Sequence, residues 1–560
     1  MMTRICCSLA MWCVLNGACL AEQPCGLVGH WKLAGDCRDS SGRDNHGVNQ
    51  GADLSAADGA RFDGRDDFIE VPVGDALNLG KQDFSIAVWV HTEAELSDVL
   101  GDILSQYDPA TRTGFTLGLL NYAGVTSSQS NYRNVSFGID SGRVDPAWAD
   151  RGRPGNARFV MAMAVHDGQL YVGTYEEGEN EAGHVYRYED GGKWIDCGSP
   201  DKANAIGSLA VYQGRLYAGS ARYNAQGSAL VKSPNWEPGG KVYRFEGGQQ
   251  WTDCGKLGEA NEVIGMAVFQ GKLYAAPLYQ DGKGLYVYEG GQQWTHCGDP
   301  GRRVQPLFVY NGCLYGGSYD YGHLVRYDGQ SNWTDLGQVP ETTQVYSFAV
   351  YQGKPHVCTW PNGSVFAYDP AKNEWTNVGR LGQEKEVMGV AVYNGKLYAG
   401  TLPLGAVFRY DGPNQWTLTG QLDTTPDVTY RRVWSMAVFQ GKLFAGTLPS
   451  GHVFSWEAGK CVTYDRELAP GWRHLVAVKT GGLLKLYIDG QGTAQSSPFN
   501  PAEYDLSTPS PLRIGFGQHD YFNGRMKDLR LYRRALDEAE IRSLAAAQAP
   551  SRGPSPKPGP

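Results

Sequence analysis

Long apolar runs are scarce in this sequence. After Ile5 to Leu15 no segment approaches the ~20 apolar residues that a membrane-spanning helix needs, which excludes a transmembrane segment from the mature chain. A positive balance is missing too. Lys and Arg number 50 against 59 Asp and Glu, a net charge of -9 with no basic run, so nothing is offered to a phosphate backbone and nucleic acid is excluded as a partner. No Cys-x-x-Cys pair stands among the 12 cysteines, which argues against zinc or a dithiol redox centre. No Gly-x-Ser-x-Gly elbow and no His-Glu-x-x-His helix occurs, which removes two common hydrolase arrangements. What is abundant is glycine (74 residues) and aromatic side chains (12%), the composition of an all-β chain with many tight turns.

From about Trp148 to Trp456 one pattern recurs. Its clearest copy is GMAVFQGKLYAAP followed by GLYVYEGGQQWTHCG, over Gly265 to Gly298. The first half returns at Met163, Leu209, Phe308, Phe348, Val390 and Met436, giving seven copies at a period of roughly 40 to 57 residues. Each copy holds four short runs rich in Val, Tyr, Phe and Trp between Gly-containing turns, the pattern of four antiparallel strands. No copy contains a run of helical period, which excludes a helical solenoid. One such sheet cannot bury both faces alone, whereas a ring of them can stack, so the expectation is a seven-bladed β-propeller. Trp194, Trp251, Trp294, Trp333, Trp375 and Trp416 mark the outer strands; Trp148 supplies a further match, while the last copy has Cys461 where Trp would fall. The strand at Trp148 is therefore expected to close the blade formed by Met436 to Trp456, tying the ring's two ends together.

The N-terminus reads as an export signal over residues 1–21: Arg4, the apolar stretch, then Cys19-Leu20-Ala21 as a cleavage site, with lipidation of Cys19 as a poorer match. Export makes a Cys25–Cys37 disulfide possible, whereas Cys197, Cys254 and Cys297 share one repeat position and are held apart as small buried thiols. Residues 546–560 are rich in Pro, Ser and Ala and are expected to be disordered.

The two flanks carry a different pattern. Trp31-x-Leu33, Asp39-x-Ser41-Gly42, Asn45-His46-Gly47 and Phe84-Ser85-Ile86-x-x-Trp89-Val90 precede the repeats. Pro470-Gly471-Trp472-Arg473-His474-Leu475-Val476, Leu484 to Gly490, and Phe522-Asn523-Gly524 through Tyr532 follow them. Together these resemble the LamG-like jelly roll, the concanavalin A-like lectin/glucanase sandwich, and the repeats between them are similar to kelch-like propeller repeats. The resemblance implies a sandwich in two parts, 22–145 and 459–545, with the propeller, 146–458, inserted in one loop. That arrangement needs the insert's ends to lie close together.

The inner hairpins turn on Gln-Gly-Lys or similar, so one propeller face is tight and plain. The variable connections, Ala221 to Gly240 the longest, gather on the other face, where a site is expected. Counting back from each inner strand places Glu262, Arg303, Gln344, Glu386 and Arg432 at one mouth of the channel, with Tyr346 and Trp434 two positions on in their repeats. A mixed Glu/Arg ring beside aromatic rings suits a neutral polyhydroxylated ligand; the same charges could instead pair with one another to seal the channel. Glucanases of the sandwich family carry Glu-x-Asp-x-x-Glu, and sialidase-type propellers carry Arg-Ile-Pro; neither occurs here. A copper set like that of galactose oxidase cannot be assembled either. Calcium, which many LamG-like domains hold, finds candidate ligands in Asp36, Asp39 and Asp44, but Asp-Ser-Ser-Gly is also an ordinary turn, and Lys527 stands where related sandwiches place a metal-binding Asp. His46 and His474 are expected as packed core residues. The reading is an exported, non-enzymatic binding or adhesion protein for glycans or glycoproteins. The alternatives are a hydrolase or lyase built on Glu262, Glu386 and the arginines, and a scaffold for a protein partner.

Overall fold

The computed structural model describes residues 25–277 and 283–547; residues 1–21, read as an export signal, and residues 548–560 lie outside them. The fold is all-β with one short helix, Glu538–Ala547. That helix takes in Ala546 and Ala547, which the sequence reading had assigned to a disordered tail.

The flanks form two seven-stranded antiparallel sheets. In one, Phe84–Thr92 is central, with Gly471–Thr480 on one side and Asn523–Tyr532 on the other. His474 pairs with Trp89 and Leu475 with Val88, so residues from both ends of the chain share one sheet. The strand Phe84–Thr92 is apolar on both faces for a reason. Ile86, Val88 and Val90 point into the sandwich core, whereas Ala87 lies under Leu536 and Ile541, the latter on the terminal helix. The rings of Phe84, Phe115 and Phe137 meet across the two sheets, with centroids 5.4 and 5.9 Å apart. Lys460–Tyr464 pairs with Asn131–Ser141 and so lies in the sandwich.

Between these segments the repeats form a β-propeller, whose ring is joined where Ala149–Asp150 pairs with Val453–Trp456 and Trp148 stacks on Trp456 at 5.4 Å. The expectation of a seven-bladed propeller is corrected: the ring has five four-stranded blades, not seven. Five four-stranded sheets stand alone, and the first two repeats share one eight-stranded sheet. The cause is a close approach. Gly183, without a Cβ, lies against the Ala205 backbone, Glu176 N–H donates to Asn204 O at 3.2 Å, and Tyr175 pairs with Ala205.

Each inner hairpin turns on a residue of positive φ followed by Gly, such as Gln270-Gly271, Asn311-Gly312 and Gln352-Gly353, the geometry that tight two-residue hairpins require. These plain turns are not idle: they dock on the sandwich. Gln270 N–H donates to Leu96 O (2.7 Å), Gly312 N–H to Ser97 O (2.9 Å), Gln352 N–H to Gln518 O (3.0 Å) and Gly168 N–H to Asp465 O (2.7 Å).

From the sandwich, the loop between Thr113–Tyr122 and Asn131–Ser141 enters the propeller's centre. Its sequence, AGVTSSQS, is polar, yet Gly124 to Ser130 is buried throughout. Backbone N–H groups on the inner strands supply the reason. Phe348 donates to Gly124 O (2.9 Å), Met266 to Ser127 O (3.2 Å), and Val165 to Ser130 O (2.9 Å); Gln129 N–H donates to Leu209 O (3.0 Å). Asn131 accepts from Val438 N–H (3.0 Å) and donates to Val438 O (2.8 Å). The innermost strand of every blade would otherwise leave an unpaired edge in the channel, and buried backbone groups without partners are costly.

Candidate ligand site at the free channel mouth

With one end of the channel filled by the sandwich loop, the opposite mouth is the one left free among the described residues. A cavity of about 70 Å³ lies there, lined by Phe159, Met161, Ile264 and Trp434 on the apolar side and by Glu262, Gln305 and Arg432 on the polar side. Tyr223, Asn224, Gly227 and Ser228 come from the connection between Arg215–Ala221 and Lys241–Gly247, and Tyr319 comes from the connection after Cys313–Ser318. The long connection is held over the mouth by Asn204, which donates to Tyr223 O and Asn235 O and accepts from Tyr223 N–H, and by Asn235, which donates to Glu181 O and Lys202 O.

Of the residues expected at the mouth, Glu262, Arg432 and Trp434 line the cavity. Tyr346 packs edge-on against Trp434 at 5.8 Å and takes a hydrogen bond from Tyr319 at 3.2 Å, while its own hydroxyl donates to Gln344. Glu386 stands behind Arg432, with Oε2 3.6 Å from Nε. Arg303 is turned aside: its Nε and Nη2 both donate to Asp320 Oδ1, and its guanidinium lies over the Tyr319 ring at 5.4 Å. The charge pairing that would seal the channel therefore holds for Arg303 but only loosely for Arg432, whose Nη1 also donates to Ser228 and whose guanidinium lies over the Tyr430 ring at 5.7 Å.

The polar wall is not satisfied internally. Glu262 (4% exposed) has no partner at Oε2, Gln305 (1%) has none at either amide atom, and Arg432 Nε and Trp434 Nε1 have none. Buried polar groups are ordinarily hydrogen-bonded, and four unsatisfied side chains around one cavity mark a place where a ligand or ordered water belongs. Burial pushes Glu262 up to about 8 against the pull of Arg222 and Arg303, so it is a neutral acid at pH 7. Burial likewise raises Glu386, with Arg432 opposing. Burial works against the charge on Arg432, but Glu386, Tyr223 and Tyr346 outweigh it and hold the guanidinium above its usual value.

A larger cleft, about 640 Å³, opens between two neighbouring blades beside Phe269, Tyr274 and Tyr327. None of the buried unpartnered side-chain atoms belongs to its lining, so we place the site at the smaller cavity. Sequence reasoning missed Tyr223, Ser228 and Tyr319 as lining residues. The length of the Ala221 to Gly240 connection was the available signal, but length does not say where a loop folds.

The calcium candidates do not converge. Asp39 spends its carboxylate on the N–H groups of His30, Ser41 and Asn45 and on the Ser41 hydroxyl, the hub of a turn. Among the described residues the acidic trio close enough to share an ion is instead Asp63, Asp66 and Asp67, at the surface. His46 is exposed, contrary to expectation, because Asp39 N–H donates to its ring from outside the core; His474 is buried. Cys25 and Cys37 are free thiols, the latter donating to Gly47 O at 3.0 Å, and Cys197, Cys254 and Cys297 are free and buried.

A family model described as the concanavalin A-like lectin/glucanases superfamily matches residues 375–542. The match covers the sandwich strands from Lys460 on but begins inside the propeller and omits the strands from Leu27 to Ser141, as a contiguous model must when an insertion splits a domain. The chain thus combines a concanavalin A-like sandwich with a β-propeller. Among solved structures, it is similar to a streptogramin B lyase (9% identity, 56% of this chain and 98% of that one, TM-score 0.45). It is also similar to virginiamycin B lyase from Staphylococcus aureus (9%, 54% and 96%, 0.42). A third is the extracellular domain of a one component system protein from B. thetaiotaomicron (15%, 56% and 40%, 0.41). Scores at this level carry no argument about activity. Among the described residues no helix is long and apolar enough to cross a membrane.

Proposed function

We propose that this is an exported binding protein, built on a kelch-like propeller, that recognises a glycan or glycoprotein at the free channel mouth. One observation carries the reading: Glu262, Gln305, Arg432 and Trp434 present unpartnered polar atoms to a single aromatic-walled cavity. Aromatic walls with a few convergent hydrogen-bonding groups suit a sugar, whose ring has apolar faces and polar edges. The concanavalin A-like match to the sandwich points the same way.

The test is a glycan-array screen of the mature protein, followed by titration of the best ligand against a variant carrying Arg432→Lys and Trp434→Phe. The first change keeps the positive charge and the second keeps an aromatic ring, while both alter the donors. At least a tenfold loss of affinity with an unchanged near-UV spectrum is expected. Unchanged binding by the folded variant would move recognition to the sandwich.

A second reading rests on Glu262 itself. A buried carboxylic acid kept neutral at pH 7, with one oxygen unpartnered, is in the state of a general acid. Prolonged incubation of the array ligand, read by mass spectrometry, separates the readings: an intact ligand supports binding alone, while cleavage that Glu262→Gln abolishes makes the site catalytic.

A further inference from the structure

The cavity's vacant hydrogen-bonding positions are unequal in kind. Trp434 Nε1 and Gln305 Nε2 are donors without acceptors, and Arg432 Nε has only Glu386 Oε2, 3.6 Å away. The neutral acid of Glu262 adds a fourth, because its free oxygen can carry the proton. Against these, the unfilled acceptors are Gln305 Oε1 and Glu386 Oε2, and the latter already faces Arg432 at 3.6 Å. A group that only accepts hydrogen bonds therefore fits better than a hydroxyl, which must donate as well as accept.

Size narrows the choice. At about 70 Å³ the cavity is far below the roughly 300 Å³ at which pockets for whole small molecules begin. It holds the end group of a ligand whose remainder lies outside, along Tyr319 and the connection bearing Tyr223. We propose that this end group is the carboxylate of an acidic sugar residue, seated on Arg432 and Trp434 beside Glu262. The proposal rests on the reading of the free mouth as a glycan site and departs from the sequence expectation of a neutral ligand. The ring of alternating charges appeared balanced, but burial removes the charge of Glu262 and leaves donors in excess.

The arrangement carries its own pH signature. Glu262 is faced by Arg222 and Tyr223 from the connection over the mouth, by Arg303 and Gln305 from the next blade, and by Arg432 with Glu386 across the cavity. As pH rises through about 8, Glu262 loses its proton, a donor becomes an acceptor, and two carboxylates would meet.

The experiment uses the full mature protein with four probes: methyl β-glucuronide, its methyl ester, methyl β-glucoside, and N-acetyl-dialanine, which carries a peptide carboxylate. Calorimetric titration at pH 7 should show the glucuronide binding at least tenfold more tightly than the ester or the glucoside. Its affinity should fall at least fivefold between pH 7 and 9, and Glu262→Gln should remove that fall while retaining binding. Trp434→Phe should weaken the glucuronide alone. Equal or tighter binding of the ester or glucoside overturns the carboxylate assignment and leaves the glycan reading standing. The same holds if neutral glycans on the array bind through Arg432 and the glucuronide does not. Preference for the dialanine carboxylate replaces the sugar by a peptide terminus and overturns both readings. No binding by any probe, together with a blank array, also overturns both.

Discussion

The two faces of the propeller are made of the same repeat and solve opposite problems. On the sandwich side the inner turns donate to sandwich carbonyls, as Gln270, Gly312, Gln352 and Gly168 illustrate, though Asn311 Oδ1, Asn394 Oδ1 and His519 Nε2 stay unpartnered. On the free side, Glu262, Gln305, Arg432 and Trp434 are buried without full partners. Complete satisfaction stabilises a fixed contact, while incomplete satisfaction at a concave surface leaves hydrogen bonds for a molecule that comes and goes. The contrast teaches that burial alone does not separate structural from functional polar residues; the gathering of unmade bonds around one cavity does.

The contrast can be broken by attacking each face in turn. The largest effect is expected from Gly124→Val combined with Asn131→Leu. Gly124 has φ +83°, and an added Cβ would sit 2.9 Å from Phe308 Cβ and 3.0 Å from Leu307 O, while Leu at 131 orphans both backbone groups of Val438. A loss of about 5 kcal/mol or more follows from overpacking, left-handed strain and two unpaired groups. Chemical denaturation should read it, and a loss under about 1 kcal/mol would mean that the loop is not what holds the inner strands.

Asn131→Leu alone should cost about 2–4 kcal/mol for the two orphaned groups. Because it touches nothing at the free mouth, ligand affinity in the folded fraction should stay as in the wild type. A coupled loss of binding would show that the two faces are not independent.

A smaller effect, of opposite sign, is expected at the junction. Burial raises Asp102 to about 7, opposed by the backbone N–H groups of His519 and Gln518, and raises its neighbours Asp98 and Asp520 as well. Between the unfolded value near 3.8 and about 7 the unfolded chain releases a proton that the folded chain keeps, so stability declines as pH rises through that window. Asp102→Asn removes this term. It should be about 1–2 kcal/mol more stable than wild type at pH 8 and no more stable at pH 4. Equal stability at pH 8 would mean that burial does not raise Asp102 in the folded protein.

The smallest change in stability belongs to the free mouth. Trp434→Phe keeps most of the apolar contact with Phe159 and Tyr346 and removes only an unpartnered N–H, so less than about 1.5 kcal/mol should be lost. A loss of 3 kcal/mol or more would assign Trp434 to the core rather than to the site.

The sequence carried the repeat, the positions of the inner turns and the offset that sends Glu262, Arg432 and Trp434 to one mouth, because all three depend on strand periodicity. It did not carry the filling of the channel. Ala123 to Ser130 reads as an exposed loop by its serines, and what buries it is bonding to backbone groups, which leave no mark in residue identity. The fusion of the first two sheets escaped for the same reason, since it turns on one close approach at Gly183. Asp39 misled as a metal candidate because a turn hub and a ligand use the same side chain.

The split sandwich has a consequence for how the protein is made. Leu27–Trp31 pairs with Asn523–Tyr532, and Phe84–Thr92 lies between Asn523–Tyr532 and Gly471–Thr480. A ribosome delivers the first strands of that sheet some hundreds of residues before their partners, and the whole propeller is synthesised in the interval. Throughout that time the N-terminal strands stand with open edges, the state in which nascent β chains associate wrongly. The channel loop precedes the first repeat in the chain, so each inner strand emerges to find its hydrogen-bonding partner already made. The order of synthesis and the order of closure run the same way: loop, ring, and last the strands that complete the sheet begun at Leu27.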